Sequence, residues 1–165
     1  MVPQTGKVGY HQGFSLVDTM VAVVILLIAI IGTSIFRYNA VLDGRRFDTQ
    51  TTAARVALML SESWRGITGD TSFDPTVLST SDMKIGQSTK SVPAVPSDFT
   101  LLGRYTVMLN DVRGVPYHVT LAWKDIQSGL RALNVVVAWA QRSPGEDGVE
   151  NVDKSFRLTV YAHTF

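Results

Sequence analysis

The longest apolar run of the chain lies close to its N-terminus. No side chain between Thr19 and Phe36 carries a charge, and the run consists mainly of Val, Ile and Leu. A helix of this length covers roughly 27 Å, which is close to the ~30 Å hydrocarbon core of a bilayer. The pattern therefore predicts a helix that is long enough to cross a membrane.

An amphipathic pattern follows directly after this run. Apolar and small residues recur there mostly at three- or four-residue steps, which is the spacing of one face of a helix. They are Leu42, Thr49, Ala53, Val56, Ala57, Leu60 and Trp64. Gly66, Gly69 and Pro75 then interrupt the helical pattern. Together the two patterns predict one helix from about Phe14 to about Arg65, which is apolar in its first half and amphipathic in its second.

The C-terminal part of the chain changes to the alternation that is typical of strands. Four runs rich in β-branched and aromatic residues are bounded by turn residues. They are RYTVMLN (104–110), YHVTLAWKD (117–125), LNVVVAWAQ (133–141) and SFRLTVYAHT (155–164). In the second run, Val119 and Leu121 alternate with His118 and Thr120, which predicts one buried face against the helix and one wetter face. The pattern predicts an α+β fold with a long N-terminal helix packed on a roughly four-stranded antiparallel sheet.

The connection between helix and sheet has no strong periodicity. Residues 67–103 are rich in Ser, Thr, Asp and Pro and include the stretch SVPAVPSDF. Connections of this length without secondary structure are uncommon inside compact domains, and they are usually functional or poorly ordered. We therefore expect a long variable loop there.

Composition and charge exclude several functions. The 165 residues have a formal net charge of +1, which gives no reason to expect nucleic acid as a partner. The absence of cysteine excludes disulfides, thiolate zinc sites and cysteine nucleophiles. Hydrolase, phosphate-loop and dinucleotide motifs are missing, and His11, His118 and His163 lie far apart without HExxH spacing. The sequence therefore predicts no enzyme and no cofactor.

Two further groups of residues have the chemistry for binding, although their placement favours a simpler role. Carboxylates gather in SPGEDGVENVD, where the Ca²⁺ candidates are Glu146, Asp147, Glu150 and Asp153. Their spacing matches no EF-hand, so a solvated hairpin loop is the favoured interpretation. Three tryptophans could form an aromatic surface, but at helix-face and strand positions such residues are more often core, and we expect at least two of them there. They are Trp64, Trp123 and Trp139.

Asp18 is the residue that a plain membrane anchor does not explain. A carboxylate costs about 2.5–3.5 kcal/mol at the centre of a bilayer-spanning helix, so an acid beside the apolar run suggests a partner. A simpler role is capping, because an acid in the first turn of a helix complements the helix dipole by roughly 0.3–1 kcal/mol. Both interpretations place Asp18 at the start of the helix.

The segment around Asp18 resembles a known targeting signal. GFSLVDTMVAVVILLIAIIG is similar to the class III signal of type IV pilins and type II secretion pseudopilins, with Gly, then Phe, then an aliphatic run interrupted by one acid. Gly13 and Phe14 match the two residues at the cut, and Asp18 matches the acid at the fifth mature position, where the family usually has Glu. The runs VTLAWKD and VVVAWAQ are also similar to the sheet of minor pilins of the PilV type.

The resemblance implies processing and a set of regions. Prepilin peptidase would cut between Gly13 and Phe14 and methylate Phe14, and Asp18 would pair with the terminal ammonium of a neighbouring subunit to set its register. The implied regions are a cleaved leader (1–13), a transmembrane and filament-core half of the helix (14–36), an amphipathic half (37–66), a variable loop (67–103) and a sheet domain (104–165).

The function that the resemblance implies is that of a structural minor pilin in a type IV pilus, acting in assembly, initiation or adhesion. The implied partners are prepilin peptidase, other pilin subunits through the N-terminal helix, and the inner membrane before assembly. The chain would cross the inner membrane once, with a periplasmic C-terminal domain, and then enter a pilus or pseudopilus. No cofactor follows from the resemblance, and no direct contact with nucleic acid.

Other interpretations of the N-terminal segment stay open. A pseudopilin of a type II secretion system has the same signal, and a signal-anchored periplasmic binding domain or a tethered enzyme would need only the apolar helix. A secretory signal peptide would need a cleavage site near Thr33 or Ser34, and none is convincing there. The charges flanking the run count against a cytoplasmic leader, because Lys7 precedes it while three arginines follow it. Those arginines are Arg37, Arg45 and Arg46.

Overall fold

The structure is a computed structural model that describes residues 16–110, 114–140 and 152–164. Its one long helix, α1, spans Leu16–Gly66, and a short 3₁₀ helix spans Pro75–Leu78. The strands are β1 (Met83–Gln87), β2 (Thr100–Leu109), β3 (Pro116–Gln127), β4 (Leu130–Ala140) and β5 (Val152–His163). The predicted α+β fold is confirmed, with five strands in place of four.

The five strands form one antiparallel meander. Each strand pairs with the next one in the chain, in the order β1-β2-β3-β4-β5. The four predicted runs correspond to β2–β5, and β2 begins at Thr100, before the predicted start at residue 104. β1 is the strand that the prediction missed, since it lies inside the segment 67–103 that was expected to be a loop. It is short and contains Gly86, and its one buried residue is Ile85, so no alternation marks it in the sequence.

Contacts divide the chain into two compact units, residues 1–44 and residues 45–165. In the first unit, the described residues all belong to α1, and their apolar side chains are exposed. From Val21 to Ile31 the large side chains are each more than half exposed, so this stretch has no apolar covering within the unit. α1 is long and apolar enough in this part to cross a membrane.

The core of the second unit lies between the last turns of α1 and one face of the sheet. Five of the seven residues of the predicted stripe are buried, Leu42 and Thr49 are only partly buried, and Ser61 is buried in addition. The five are Ala53, Val56, Ala57, Leu60 and Trp64. They share a cluster with alternate residues of β3 and β4, including Val119, Leu121, Val135 and Val137. We call this side of the sheet the inner face. The larger side chains of the stripe, above all Leu60 and Trp64, fill the space between the helix and the inner face.

The opposite side of the sheet, the outer face, was expected to be wetter, and this expectation is wrong for β3. His118, Thr120 and Ala122 are all buried. The connection between β1 and β2, residues 88–99, crosses the outer face, and we call it the strap. The Thr120 hydroxyl donates a hydrogen bond to the Pro93 carbonyl at 2.7 Å, and Lys124 Nζ lies 4.0 Å from Asp98 Oδ2. Alternation along β3 correctly separated its two faces, but it could not reveal that a distant segment covers the second one.

Candidate functional site

The first described turns of α1 contain the acid that sequence analysis singled out. Asp18 lies in the first turn of the helix and is exposed. On the side of the helix that carries Asp18, Val21 and Ile25 are exposed. A shallow open groove lies on the opposite side, lined by Leu16, Thr19, Met20, Val23 and Val24. Gly13 and Phe14, the residues of the expected cleavage site, lie outside the described residues. The described part therefore places a carboxylate directly beside an apolar helix surface.

The chemistry of this segment restricts its partners. An exposed run of Val, Ile and Leu is stable only where lipid or other apolar side chains surround it, since water does not solvate such a surface favourably. Asp18 needs the opposite environment, namely water, a cation or hydrogen-bond donors. The N-terminal segment therefore combines an apolar surface that needs lipid or apolar side chains with a carboxylate that needs a polar environment. The Thr33 hydroxyl, within the apolar run, donates to the carbonyl of Ala29 one turn earlier.

The calcium candidates are not brought together in the described part of the chain. Asp153 lies at the start of β5, where it is about half exposed and 3.7 Å from Lys154 Nζ. Glu146, Asp147 and Glu150 lie outside the described residues. Within residues 16–110, 114–140 and 152–164, no group of three or more His, Cys, Asp or Glu side chains could hold a metal ion. Calcium binding by this loop stays a prediction.

The histidines and tryptophans take structural positions. His118 is buried in β3, with its Nδ1 3.4 Å from the Thr106 hydroxyl. His163 is exposed near the end of β5, two strands away in the sheet, and His11 lies outside the described residues. Trp64 and Trp139 are buried, so the expectation that at least two tryptophans belong to the core is confirmed.

The structure also contains a polar cluster around Arg131 that sequence analysis missed. Arg131 lies on β4, and its guanidinium donates to both carboxylate oxygens of Asp125, at 2.7 and 3.2 Å. It donates a third hydrogen bond, at 3.0 Å, to the carbonyl of Gly69 in the turn after α1, and it stacks 4.2 Å above the ring of Trp123. The hairpin turn at Gly129 could have suggested the pairing with Asp125. Nothing local in the sequence could have indicated Gly69, which is 62 residues away.

The Arg131 cluster predicts an acid-dependent loss of stability. The pKa of Asp125 lies below its usual range because Arg131 donates a hydrogen bond to the carboxylate and adds a nearby positive charge. A carboxyl group with a lowered pKa in the folded state stabilises that state above its unfolded pKa, and the effect is lost as the pH falls through the lowered value. We therefore expect urea unfolding midpoints to fall with acidification in that range, and to fall less steeply in Arg131→Gln.

The same substitution has an expected cost at neutral pH of about 1–2 kcal/mol, because it removes the hydrogen bond to Gly69 and the stacking on Trp123. Asp125→Asn is the matched control, since it removes the carboxylate but leaves Arg131 in place. Some pH dependence should survive in both variants, because hydrogen bonds from Ser72 are the main cause of the lowered pKa of Asp70 and the charge of Arg131 is a smaller one. Equal pH slopes in Arg131→Gln and the unmodified protein would contradict the assignment.

No family model, no curated protein and no solved structure matches this chain significantly. The features that bear on the function of the chain are the exposed apolar part of α1, Asp18 at its start, and the sheet domain that follows.

Proposed function

We propose that this chain is a minor pilin, a structural subunit that moves from the inner membrane into a type IV pilus. One observation carries the proposal. A single uninterrupted helix, Leu16–Gly66, begins with an acid, continues as an exposed apolar run of membrane-spanning length, and ends buried against an antiparallel sheet. A subunit that is first held by lipid and then by other helices needs this combination.

The proposed mechanism follows from the two solvation requirements of the N-terminal segment. Prepilin peptidase cuts after Gly13 and methylates the new terminus at Phe14. The apolar side chains then exchange lipid for the helices of neighbouring subunits, which offers an equally apolar environment and favours close side-chain packing. The Asp18 carboxylate pairs with the ammonium of a neighbour, so that each charge removes the desolvation cost of the other and fixes the axial register.

Two related functions are distinguished by where the chain goes after processing. A type II secretion pseudopilin would undergo the same cleavage but enter a short pseudopilus. A signal-anchored periplasmic domain would retain its leader and stay in the membrane. The uncharged stretch from Thr19 to Phe36 suits all three, whereas Asp18 favours the two that supply a cationic partner.

The proposal is tested by the N-terminal sequence and intact mass of the protein, isolated from cells with and without their prepilin peptidase. We expect a peptidase-dependent start at Phe14 with one additional methyl group. Gly13→Val should block cleavage, because the peptidase would no longer accept the residue before the cut. Gly9→Val, a matched change within the leader, should leave cleavage intact. An unprocessed leader in both strains would refute the pilin and the pseudopilin assignments together.

A further inference from the structure

The strap is held to the outer face of the sheet by few polar contacts. Among the described residues, one side-chain hydrogen bond joins the strap to β3, from the Thr120 hydroxyl to the Pro93 carbonyl. One long ion pair, between Lys124 and Asp98, also joins them. Thr120 and Lys124 lie on the same side of β3 with Ala122 between them, and Ala122 is completely buried. Ala122 therefore lies under the strap, between its two attachment points.

The surface next to the strap carries mainly small side chains, together with the apolar Val136 opposite Thr120 in the ladder and a few buried polar atoms. Asn134 of β4 is opposite Ala122 in the ladder and is almost fully buried. Its Nδ2 donates to the Thr159 hydroxyl at 2.8 Å, whereas its Oδ1 has no hydrogen-bond partner within the part of the chain that the structure describes. Arg104 Nε, on the neighbouring strand β2, is buried and likewise lacks a partner there. Both atoms regain hydrogen bonds when water reaches this face.

The two faces of β3 therefore differ in what their exposure costs. The inner face carries Val119 and Leu121 against the helix, and uncovering it means breaking the hydrophobic core. The outer face carries Thr120 and Ala122, with Val136 opposite Thr120, and none of these belongs to the hydrophobic core cluster. Their exposure to water therefore costs less than exposure of the inner face. Local opening with a lower free energy than global unfolding is expected where few apolar contacts have to break.

We propose that the strap, residues 88–99, opens away from the outer face while the rest of the domain stays folded. The strap is then a conformational device that alternately hides and presents a surface of small and polar side chains, with Val136 among them, on the side of the sheet opposite α1. Opening releases the Thr120–Pro93 hydrogen bond and the Lys124–Asp98 ion pair, and it hydrates Asn134 Oδ1 and Arg104 Nε. This inference is independent of the proposed function, since it concerns the sheet domain alone.

The absence of native cysteine makes thiol labelling a clean test. Ala122→Cys places a thiol under the strap, and Leu121→Cys places one on the inner face of the same strand, with both positions completely buried. In the full chain in mild detergent, we expect Ala122→Cys to react with a soluble thiol reagent at least about ten-fold faster than Leu121→Cys. Low concentrations of urea should accelerate only Leu121→Cys, because only that position needs extensive unfolding.

A second variant tests the attachment itself. Thr120→Val keeps the shape of the side chain but removes the hydrogen bond to Pro93, so labelling of Ala122→Cys should accelerate by about two- to ten-fold, while labelling of Leu121→Cys stays unchanged. Equal labelling rates for the two cysteines, with the same urea dependence, would overturn the proposal. The same conclusion would follow if Thr120→Val accelerated both positions equally.

The unmodified sequence provides a test that does not depend on the folding of cysteine variants. Hydrogen exchange of the Asn134 side-chain amide reports access to the outer face, and exchange of the Trp64 indole N–H, which donates to the Asp70 carbonyl at 2.8 Å, reports opening of the core. Strap opening predicts much faster exchange at Asn134, relative to the intrinsic rate of each group. Equal protection of the two groups would overturn the proposal.

Discussion

Replacing Asp18 with alanine is expected to reduce the amount of this subunit in filaments by at least about 100-fold. The expectation rests on the proposed pairing of Asp18 with the N-terminal ammonium of a neighbouring subunit. Removing one partner of a buried ion pair leaves the other charge desolvated and unpaired, which costs about 3–5 kcal/mol, and each 1.4 kcal/mol corresponds to about ten-fold in an equilibrium constant. The measurement is the ratio of this chain in sheared filaments to this chain in membranes, by quantitative immunoblot.

Asp18→Glu and Asp43→Ala are the matched controls for this experiment. Asp18→Glu retains the charge with one more methylene, so its incorporation should equal or exceed that of the unmodified chain. Asp43→Ala removes another exposed acid of α1, outside the apolar run, and should change incorporation little. If Asp18→Ala entered filaments at the level of these controls, Asp18 would have only the role of a helix-capping acid, worth roughly 0.3–1 kcal/mol.

Replacing Trp64 with alanine is expected to destabilise the sheet domain by about 3–5 kcal/mol, a large part of the 5–15 kcal/mol that a typical domain possesses. Trp64 is completely buried in the last turns of α1 and stacks on Phe73, with ring centroids 5.9 Å apart. Its indole N–H satisfies the Asp70 carbonyl in the turn after the helix. Truncation therefore leaves a cavity and removes one of two hydrogen bonds that the Asp70 carbonyl accepts, the other coming from the Phe73 backbone N–H at 3.4 Å. Urea unfolding followed by circular dichroism measures the loss.

Two further variants separate the contributions of Trp64. Trp64→Phe retains an aromatic ring but cannot donate to Asp70, so we expect a smaller loss of about 1–2 kcal/mol. Leu58→Ala removes a side chain that is about half exposed on the same helix, and it should change the free energy of unfolding by about 0.5 kcal/mol or less. A loss in Trp64→Ala no greater than that in Leu58→Ala would mean that the helix does not pack on the sheet as described.

Periodicity in the sequence was sufficient to predict the elements that bury one continuous face. Helical spacing identified the stripe from Ala53 to Trp64, and alternation identified the four longer strands. β1 escaped prediction because it is held by pairing with β2 and by burial of Ile85, neither of which leaves a repeating pattern in a five-residue strand. The covering of β3 by the strap was not predicted either. Its contacts join distant parts of the chain, so they leave no local pattern in the sequence.

Of the residues described for the candidate functional site, some could be recognised from the sequence and others could not. Asp18 was recognisable because a single acid beside an uncharged run is costly wherever the run is buried, and this cost can be judged from the sequence alone. Arg131 was not recognisable, because its role depends on reaching the carbonyl of Gly69, and backbone carbonyls occur at every residue. Local chemistry therefore revealed the membrane-length segment more readily than it revealed the contacts that organise the sheet domain.

The sequential strand order bears on how the chain folds. Because every strand pairs with its neighbour in the chain, each pairing closes only a short loop, which costs little conformational entropy. Chains with such local contacts have a low contact order and tend to fold quickly. The turn after α1 is different, because the hydrogen bond between its Gly69 carbonyl and Arg131 can form only after β4 is in place. We therefore expect the five-stranded sheet to form first and docking of the helix on its inner face to complete folding.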